Sequence, residues 1–141
     1  MKDPDGPFWK WDGKKRESEA WNKDQTLRSA FAVSCVPAFQ NLARNIGQNR
    51  MQEWLDKIGY GDRNISSGID VFWLPNPPDR ETLLVTPMEQ AEMIAQLVEE
   101  KLPFSAKTLA TLKSIMTLKT SERGTLFGKT GTGSDKERTT C

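Results

Sequence analysis

Most apolar positions in this chain recur three or four residues apart, the period of a helix with one buried face. Gln25 to Val33 is the first such run, and Asn22 or Asp24 stands where its N-cap belongs. A second, Pro37 to Ile46, places Phe39, Leu42 and Ile46 on one face. Pro37 suits a first helical position because no amide donor is needed there. Gly47 interrupts the pattern. Gln48 to Ile58 follows, with Met51, Trp54, Leu55 and Ile58 in register, and Gly59 sits at the C-cap position. Thr86-Pro87-Met88-Glu89 is a capping box with proline at the first helical position. It predicts a helix to about Leu102, with Ala91, Ile94, Leu97 and Val98 inward and Pro103 as its stop. Ser105 caps a last helix to about Met116 that buries Leu109, Leu112 and Ile115.

Between these helices the pattern changes. Residues 1–7, rich in Pro, Gly and Asp, read as a disordered lead-in. Phe8-Trp9-Lys10-Trp11-Asp12-Gly13 then sets three aromatics before a turn signal, the composition of a segment packed on a core or lining a cleft. Lys14 to Ala20 reads as a surface loop, and Tyr60 to Asn64 as a polar loop with turn character. Val71 to Leu74 is an apolar run stopped by Pro75-Asn76-Pro77-Pro78. Only Thr125 to Thr130 has strand character. A lone strand needs a sheet, and the pattern offers it no partner, so an incomplete domain is expected.

Composition narrows the function. The 141 residues suit one domain of about 100–200 residues. A formal net charge of +1, with both signs interspersed, steers the chain toward neither nucleic acid nor an anionic surface. No apolar run approaches the ~20 residues of a membrane span, and the first residues lack a signal-peptide core. Histidine is absent, which excludes a Ser-His-Asp triad and histidine metal ligation within this chain. Any serine chemistry must therefore use lysine or a carboxylate. Cys35 and Cys141 fit no metal or redox spacing.

Ser34, between two helical runs in Ser34-Cys35-Val36-Pro37, is either a cap or a working hydroxyl. Lys129-Thr130-Gly131 offers a cation for a carboxylate and a glycine that lets a ligand approach the backbone. Taken singly, Ser34 reads as a helix-end hydroxyl, Trp21 and Trp73 as core aromatics, and Lys129 as an exposed lysine. Their order reads differently. Trp-Asp-Gly, Trp-Asn-x-Asp-x-Thr-Leu, Ser-x-Val-Pro, Tyr-Gly-Asp, Phe-Trp-Leu and Lys-Thr-Gly follow one another from about Phe8 to Gly131. That series resembles the class D β-lactamases, the oxacillinase family of penicillin-hydrolysing serine enzymes.

The resemblance implies an α/β (α+β) serine β-lactamase or penicillin-binding-protein-like fold, an antiparallel sheet flanked by a helical lobe. Residues 8–124 would hold most of the lobe, 125–132 an active-site strand and 133–141 a truncated tail. It implies that Ser34 passes a proton to the departing lactam nitrogen, helped by the cation of Lys129. Thr132 would supply one oxyanion-hole amide. Trp21, Leu74, Thr130 and Gly131 would contact the substrate, a β-lactam antibiotic such as a penicillin. Val36 and Trp73 would surround the family's carbamylated lysine, a modification that makes a metal or organic cofactor unnecessary. The implied location is periplasmic or extracellular.

Two departures qualify the resemblance. The family's Tyr-Gly-Asn stands here as Tyr60-Gly61-Asp62, which removes two side-chain donors. The family's Ser-x-x-Lys, its nucleophile and base, is absent: no serine or threonine here is followed by lysine three positions later. The expectation is an internal fragment of such an enzyme, inactive and poorly folded alone. The alternatives are a penicillin-binding sensor domain of a β-lactam-responsive regulator and a non-catalytic helical interaction protein.

Overall fold

Hydrogen bonds between distant segments, more than helix propensity, organise the start of this chain. The computed structural model describes residues 3–74, 81–131, 133–134 and 139–140. Among these, strands β1 (Pro7–Trp9) and β2 (Gln25–Thr26) precede helices α1 (Leu27–Ala32), α2 (Val36–Ile46) and α3 (Gln48–Ile58). Helices α4 (Pro87–Val98) and α5 (Ala106–Met116) follow, then strands β3 (Thr117–Ser121), β4 (Gly124–Phe127), β5 (Gly133–Ser134) and β6 (Thr139–Thr140). The strands pair antiparallel as β1–β2, β3–β4 and β5–β6. Two compact units result: Met1–Asn41 with Ser105–Lys129, and Leu42–Phe104 with Thr130–Cys141.

In the first unit, α1 starts two residues later than the apolar period suggests. Thr26 is its cap: the Thr26 Oγ1 accepts from the Ser29 amide and the Ser29 Oγ accepts from the Thr26 amide, each at 3.0 Å. The expected caps are engaged elsewhere. Asn22 Oδ1 accepts from the Arg16 amide at 2.8 Å, and Asp24 Oδ1 from the Trp11 amide at 2.9 Å. Nor are residues 3–7 loose; Met1 and Lys2 lie outside the described residues. The Arg28 amide donates to the Pro4 carbonyl at 3.0 Å. The Arg28 guanidinium grips both oxygens of Asp5, at 2.7 and 3.1 Å, and the carbonyl and hydroxyl of Ser114 on α5, at 2.9 and 3.0 Å. Residues 3–7 are thus tied to α1 by a partner more than twenty positions away, which no local signal reveals. Small residues Ala30, Cys35 and Ala38 form the buried centre, with Phe8, Trp9, Trp21 and Phe39 packed around them.

The strand expected to lack a partner has one. β4 pairs with β3, Thr117 opposite Phe127 and Ser121 opposite Gly124. Every residue of β3 is exposed, so no apolar alternation marks it as a strand. The expected strand is also shorter: it ends at Phe127, and Lys129 lies beyond it.

The second unit has its own centre in Leu55, Ile65 and Phe72, with Met51, Tyr60, Ile69 and Leu83 against it. Trp54 stacks on Phe104 with ring centres 5.0 Å apart. Gly59 ends α3 in the left-handed conformation, as its position suggested. The Thr86–Glu89 capping box is present with Pro87 at the helix start. α4 stops at Val98, four residues short of expectation, and Pro103 does not end it. Of its four expected inward residues only Leu97 is buried; Ala91, Ile94 and Val98 are exposed. Period identifies residues that share a face, not whether anything covers that face.

Gly61 tests the packing of this unit. Its φ is +55°, and a Cβ there would lie 2.2 Å from the Leu84 carbonyl oxygen. Gly59 has a similar φ of +64° with nothing within 4 Å of such a Cβ. Both replacements by alanine incur left-handed strain of roughly 1–2 kcal/mol, and only Gly61→Ala must also displace backbone. Gly61→Ala is expected to lower the denaturant midpoint clearly more than Gly59→Ala, and equal midpoints would refute this contact.

A second prediction concerns pH. Hydrogen bonds from the Thr86 amide and hydroxyl hold the Glu89 carboxyl below its ordinary 4.5. A depressed carboxyl stabilises the fold above its unfolded pKa and loses that contribution as pH falls through the folded one. Circular dichroism should therefore show a helical loss below about pH 4.5 that is smaller in Glu89→Gln.

Candidate active site

α1 ends in a way that exposes one hydroxyl. The Cys35 amide donates back to the Ala30 carbonyl at 2.8 Å and the Ser34 amide to the Phe31 carbonyl at 3.2 Å. These two bonds form a Schellman motif, whose C′ residue takes the left-handed conformation and is usually glycine. Here it is Ser34, with φ +50°. Side chains in that region cost of order 1–3 kcal/mol and concentrate at functional positions. Burial of Cys35 at 0% exposure anchors the turn from below and pushes its thiol pKa up.

The Ser34 hydroxyl meets Lys129. Lys129 Nζ donates to Ser34 Oγ at 2.5 Å across 95 positions of sequence, and the ammonium also lies 5.8 Å from the centre of the Phe31 ring. The Gly128 amide, bonded to the Met116 carbonyl at 2.9 Å, fixes the backbone just before Lys129. So the cation is delivered by the chain leaving β4 rather than by a residue within the strand. An ammonium donating to a hydroxyl polarises its O–H and leaves that proton free to be given outward. Chemically, such a pair can serve as a proton donor with a cation behind it.

Other residues singled out by sequence fall at several places. The Trp21 indole N–H donates to the Val33 carbonyl at 2.9 Å, one residue before Ser34. Val36 opens α2 and is half-buried. In the second unit, Phe72 is buried while Trp73 packs edge-on against it, 37% exposed, and Leu74 is half-buried. Thr130 and Gly131 are exposed beyond Lys129. Thr132, the Pro75-to-Pro78 stop and Cys141 lie outside the described residues.

Tyr60-Gly61-Asp62 explains its own departure. Asp62 Oδ1 accepts from the Asn64 amide at 3.0 Å and the Leu84 amide at 3.1 Å, while the Asp62 amide donates to the Leu84 carbonyl at 2.9 Å. Every one of these side-chain bonds needs an acceptor, so a carboxylate serves as well as an amide. The Tyr60 hydroxyl donates to Gln90 at 2.6 Å, and burial raises its pKa. Sequence reasoning missed Phe31 beneath the ammonium and Arg28 bracing α1 against α5. Phe31 stands three positions before Ser34 and had that spacing as its only signal. Among the described residues no cluster of acidic or cysteine side chains could hold a metal, and no helix is long and apolar enough to cross a membrane.

Comparison with known proteins places this geometry in context. The family described as "Penicillin binding protein transpeptidase domain" matches residues 2–140. The "Probable beta-lactamase YbxI" of Bacillus subtilis (strain 168) is 43% identical over 123 residues, 87% of this chain and 44% of that protein. The "Regulatory protein BlaR1" of Bacillus licheniformis is 33% identical over 122 residues, 86% of this chain and 19% of that protein. Among solved structures, the class D beta-lactamase FUS-1 from Fusobacterium nucleatum subsp. polymorphum is similar with a TM-score of 0.86 at 41% identity, covering 96% of this chain and 54% of that one. The chain thus spans about half the length of these lactamase relatives.

The left-handed Ser34 makes a stability prediction. Ser34→Gly removes a penalty of roughly 1–2 kcal/mol and adds unfolded-chain freedom worth about 0.5–1 kcal/mol. The thermal midpoint should stay level or rise slightly, although the hydroxyl is lost. Ser34→Val, β-branched at the same φ, should lower it by an amount equivalent to about 2 kcal/mol. A valine variant as stable as the glycine variant would mean the turn is not strained.

Proposed function

The chain belongs to the penicillin-binding-protein transpeptidase family, its similarity within that family lies with the class D β-lactamases, and on that premise we propose that it carries the proton-delivery half of a β-lactam acyl-transfer site. The observation that carries this reading is the Lys129–Ser34 hydrogen bond. When a serine nucleophile, its hydroxyl proton taken by a base that this sequence does not supply, attacks a β-lactam carbonyl, a new acyl–oxygen bond forms and the ring C–N bond breaks. The departing nitrogen then needs a proton. Ser34 Oγ–H supplies it, Lys129 returns a proton to Ser34, and solvent restores Lys129. The ammonium also attracts the substrate carboxylate.

The remaining roles in this proposal follow the family pattern. Thr130 and Gly131 line the substrate beside Lys129, Trp21 and Leu74 border it, and the Thr132 amide is one oxyanion donor. Val36 and Trp73 belong to the surroundings of the carbamylated lysine. No lysine follows a serine by three positions in this sequence, so the residues present do not supply that group and no step is routed through it. No metal or organic cofactor enters the reading. The nucleophile is likewise outside this sequence. The proposed substrates are β-lactam antibiotics of the penicillin class, and the proposed location is periplasmic or extracellular.

One observation favours a second reading, a penicillin-binding sensor domain: the match to a protein named as regulatory. A sensor is acylated and released slowly, whereas a hydrolase turns over.

Purified residues 1–141 are expected to show no turnover of a chromogenic cephalosporin. Turnover above background that Ser34→Ala abolishes would overturn this. In the Bacillus subtilis relative, with residues 8–131 of this chain in place of its own segment, turnover is expected. Ser34→Ala should then lower kcat about 10²–10⁴-fold. A long-lived acyl adduct by mass spectrometry, without turnover, would select the sensor reading instead.

A further inference from the structure

We propose that Trp21 is a positioning residue for Ser34: its indole N–H pins the one peptide plane whose orientation sets the serine's left-handed φ. The functional value of this arrangement rests on the proton-delivery role proposed for Ser34; the backbone argument stands on geometry alone.

The last carbonyls of a helix have no partners within it. At the end of α1 the turn itself serves two of them, Ala30 through the Cys35 amide and Phe31 through the Ser34 amide. The Val33 carbonyl is bonded instead by Trp21 Nε1, at 2.9 Å from twelve residues upstream. Val33 C=O and Ser34 N–H belong to the same peptide plane. One end of that plane donates to Phe31, and the other accepts from Trp21. Rotation of a peptide plane changes ψ of the residue before it and φ of the residue after it, here Val33 and Ser34. The relaxed alternative for a serine is negative φ, and reaching it requires that rotation. The indole bond therefore helps to hold Ser34 at +50°, and breaking it would let the strained residue relax.

Trp21 is itself well held, as such a strut must be. It closes a short 3-10 turn, Glu19–Trp21, with its amide on the Ser18 carbonyl at 3.0 Å. Gln25, 3% exposed, braces that turn by donating to the Ala20 carbonyl at 2.7 Å. The indole ring packs on the Ala30, Cys35 and Ala38 centre. A ring that only filled space would need none of this orientation, and phenylalanine would replace it.

The test is a double-mutant cycle on the full chain, read by hydrogen exchange of the Ser34 and Cys35 amides with no β-lactam present. Trp21→Phe keeps an aromatic ring and removes the N–H. It should speed exchange at those two amides about tenfold with Ser34 in place. With Ser34→Gly, where the left-handed turn is relaxed, the same change should speed them less than about threefold. Equal acceleration in both backgrounds, or none in either, overturns the proposal and reduces Trp21 to packing. A second measurement needs no change at Trp21. Its indole proton should exchange at least about tenfold more slowly than an unprotected indole, and exchange at the unprotected rate also overturns it. Because no substrate is involved, either result can be obtained whatever the grafted enzyme does. A failed cycle leaves the Lys129–Ser34 pair standing, whereas absent turnover in the graft leaves the strut standing.

Discussion

The constraint on which the first unit depends is the way α1 stops. Six residues of helix hold few hydrogen bonds of their own, so its ends decide its stability. The Thr26–Ser29 box fixes the start, and the Schellman pair of Ser34 and Cys35 fixes the finish. With glycine at the C′ position the turn would be relaxed and chemically silent. With serine it is strained, and the strain raises a hydroxyl clear of the backbone at the point where Lys129 arrives. Stability has been given up at the residue that makes the contact, as at strained functional sites generally.

What compensates lies in neighbouring bonds. Cys35 is buried completely just after the strained residue, among the small side chains of Ala30 and Ala38. Small residues let α1 and the start of α2 approach closely, and the larger Phe8, Trp9 and Phe39 close the sides. Arg28 ties the chain start and the end of α5 to the same helix. α5 leads directly into β3, whose partner β4 delivers Lys129. Bracing α1 against the end of α5 therefore also restrains the route by which the lysine returns. The second unit is organised separately, around Leu55, Ile65 and Phe72, and its Tyr60-Gly61-Asp62 turn is held by acceptor geometry that a carboxylate meets.

The helices were legible where local signals suffice. Thr86-Pro87-Met88-Glu89, Gly59 and Ser105 each carry their capping geometry within four residues of sequence, and each sits as the pattern indicated. The errors share a cause. Thr26 outcompetes Asn22 and Asp24 because those two are claimed by Arg16 and Trp11. Residues 3–7 are ordered by Arg28. β3 escapes notice because it is exposed throughout. Ile94 and Val98 share a face with Leu97 yet remain exposed. In each case the deciding contact, or its absence, leaves no mark in the local period or capping pattern.

By itself the sequence determined the family, through six short motifs in order, and the existence of five helices whose bounds the structure then set. It also named Ser34 and Lys129 as candidates and showed that no Ser-x-x-Lys accompanies them. It could not show that Ser34 stands at positive φ, that Phe31 lies beneath the ammonium, or that an indole twelve residues upstream bonds the preceding carbonyl. Those were decided by tertiary structure. Periodicity and capping act over one helical turn, whereas a contact spanning 95 positions exists only after the intervening elements have packed.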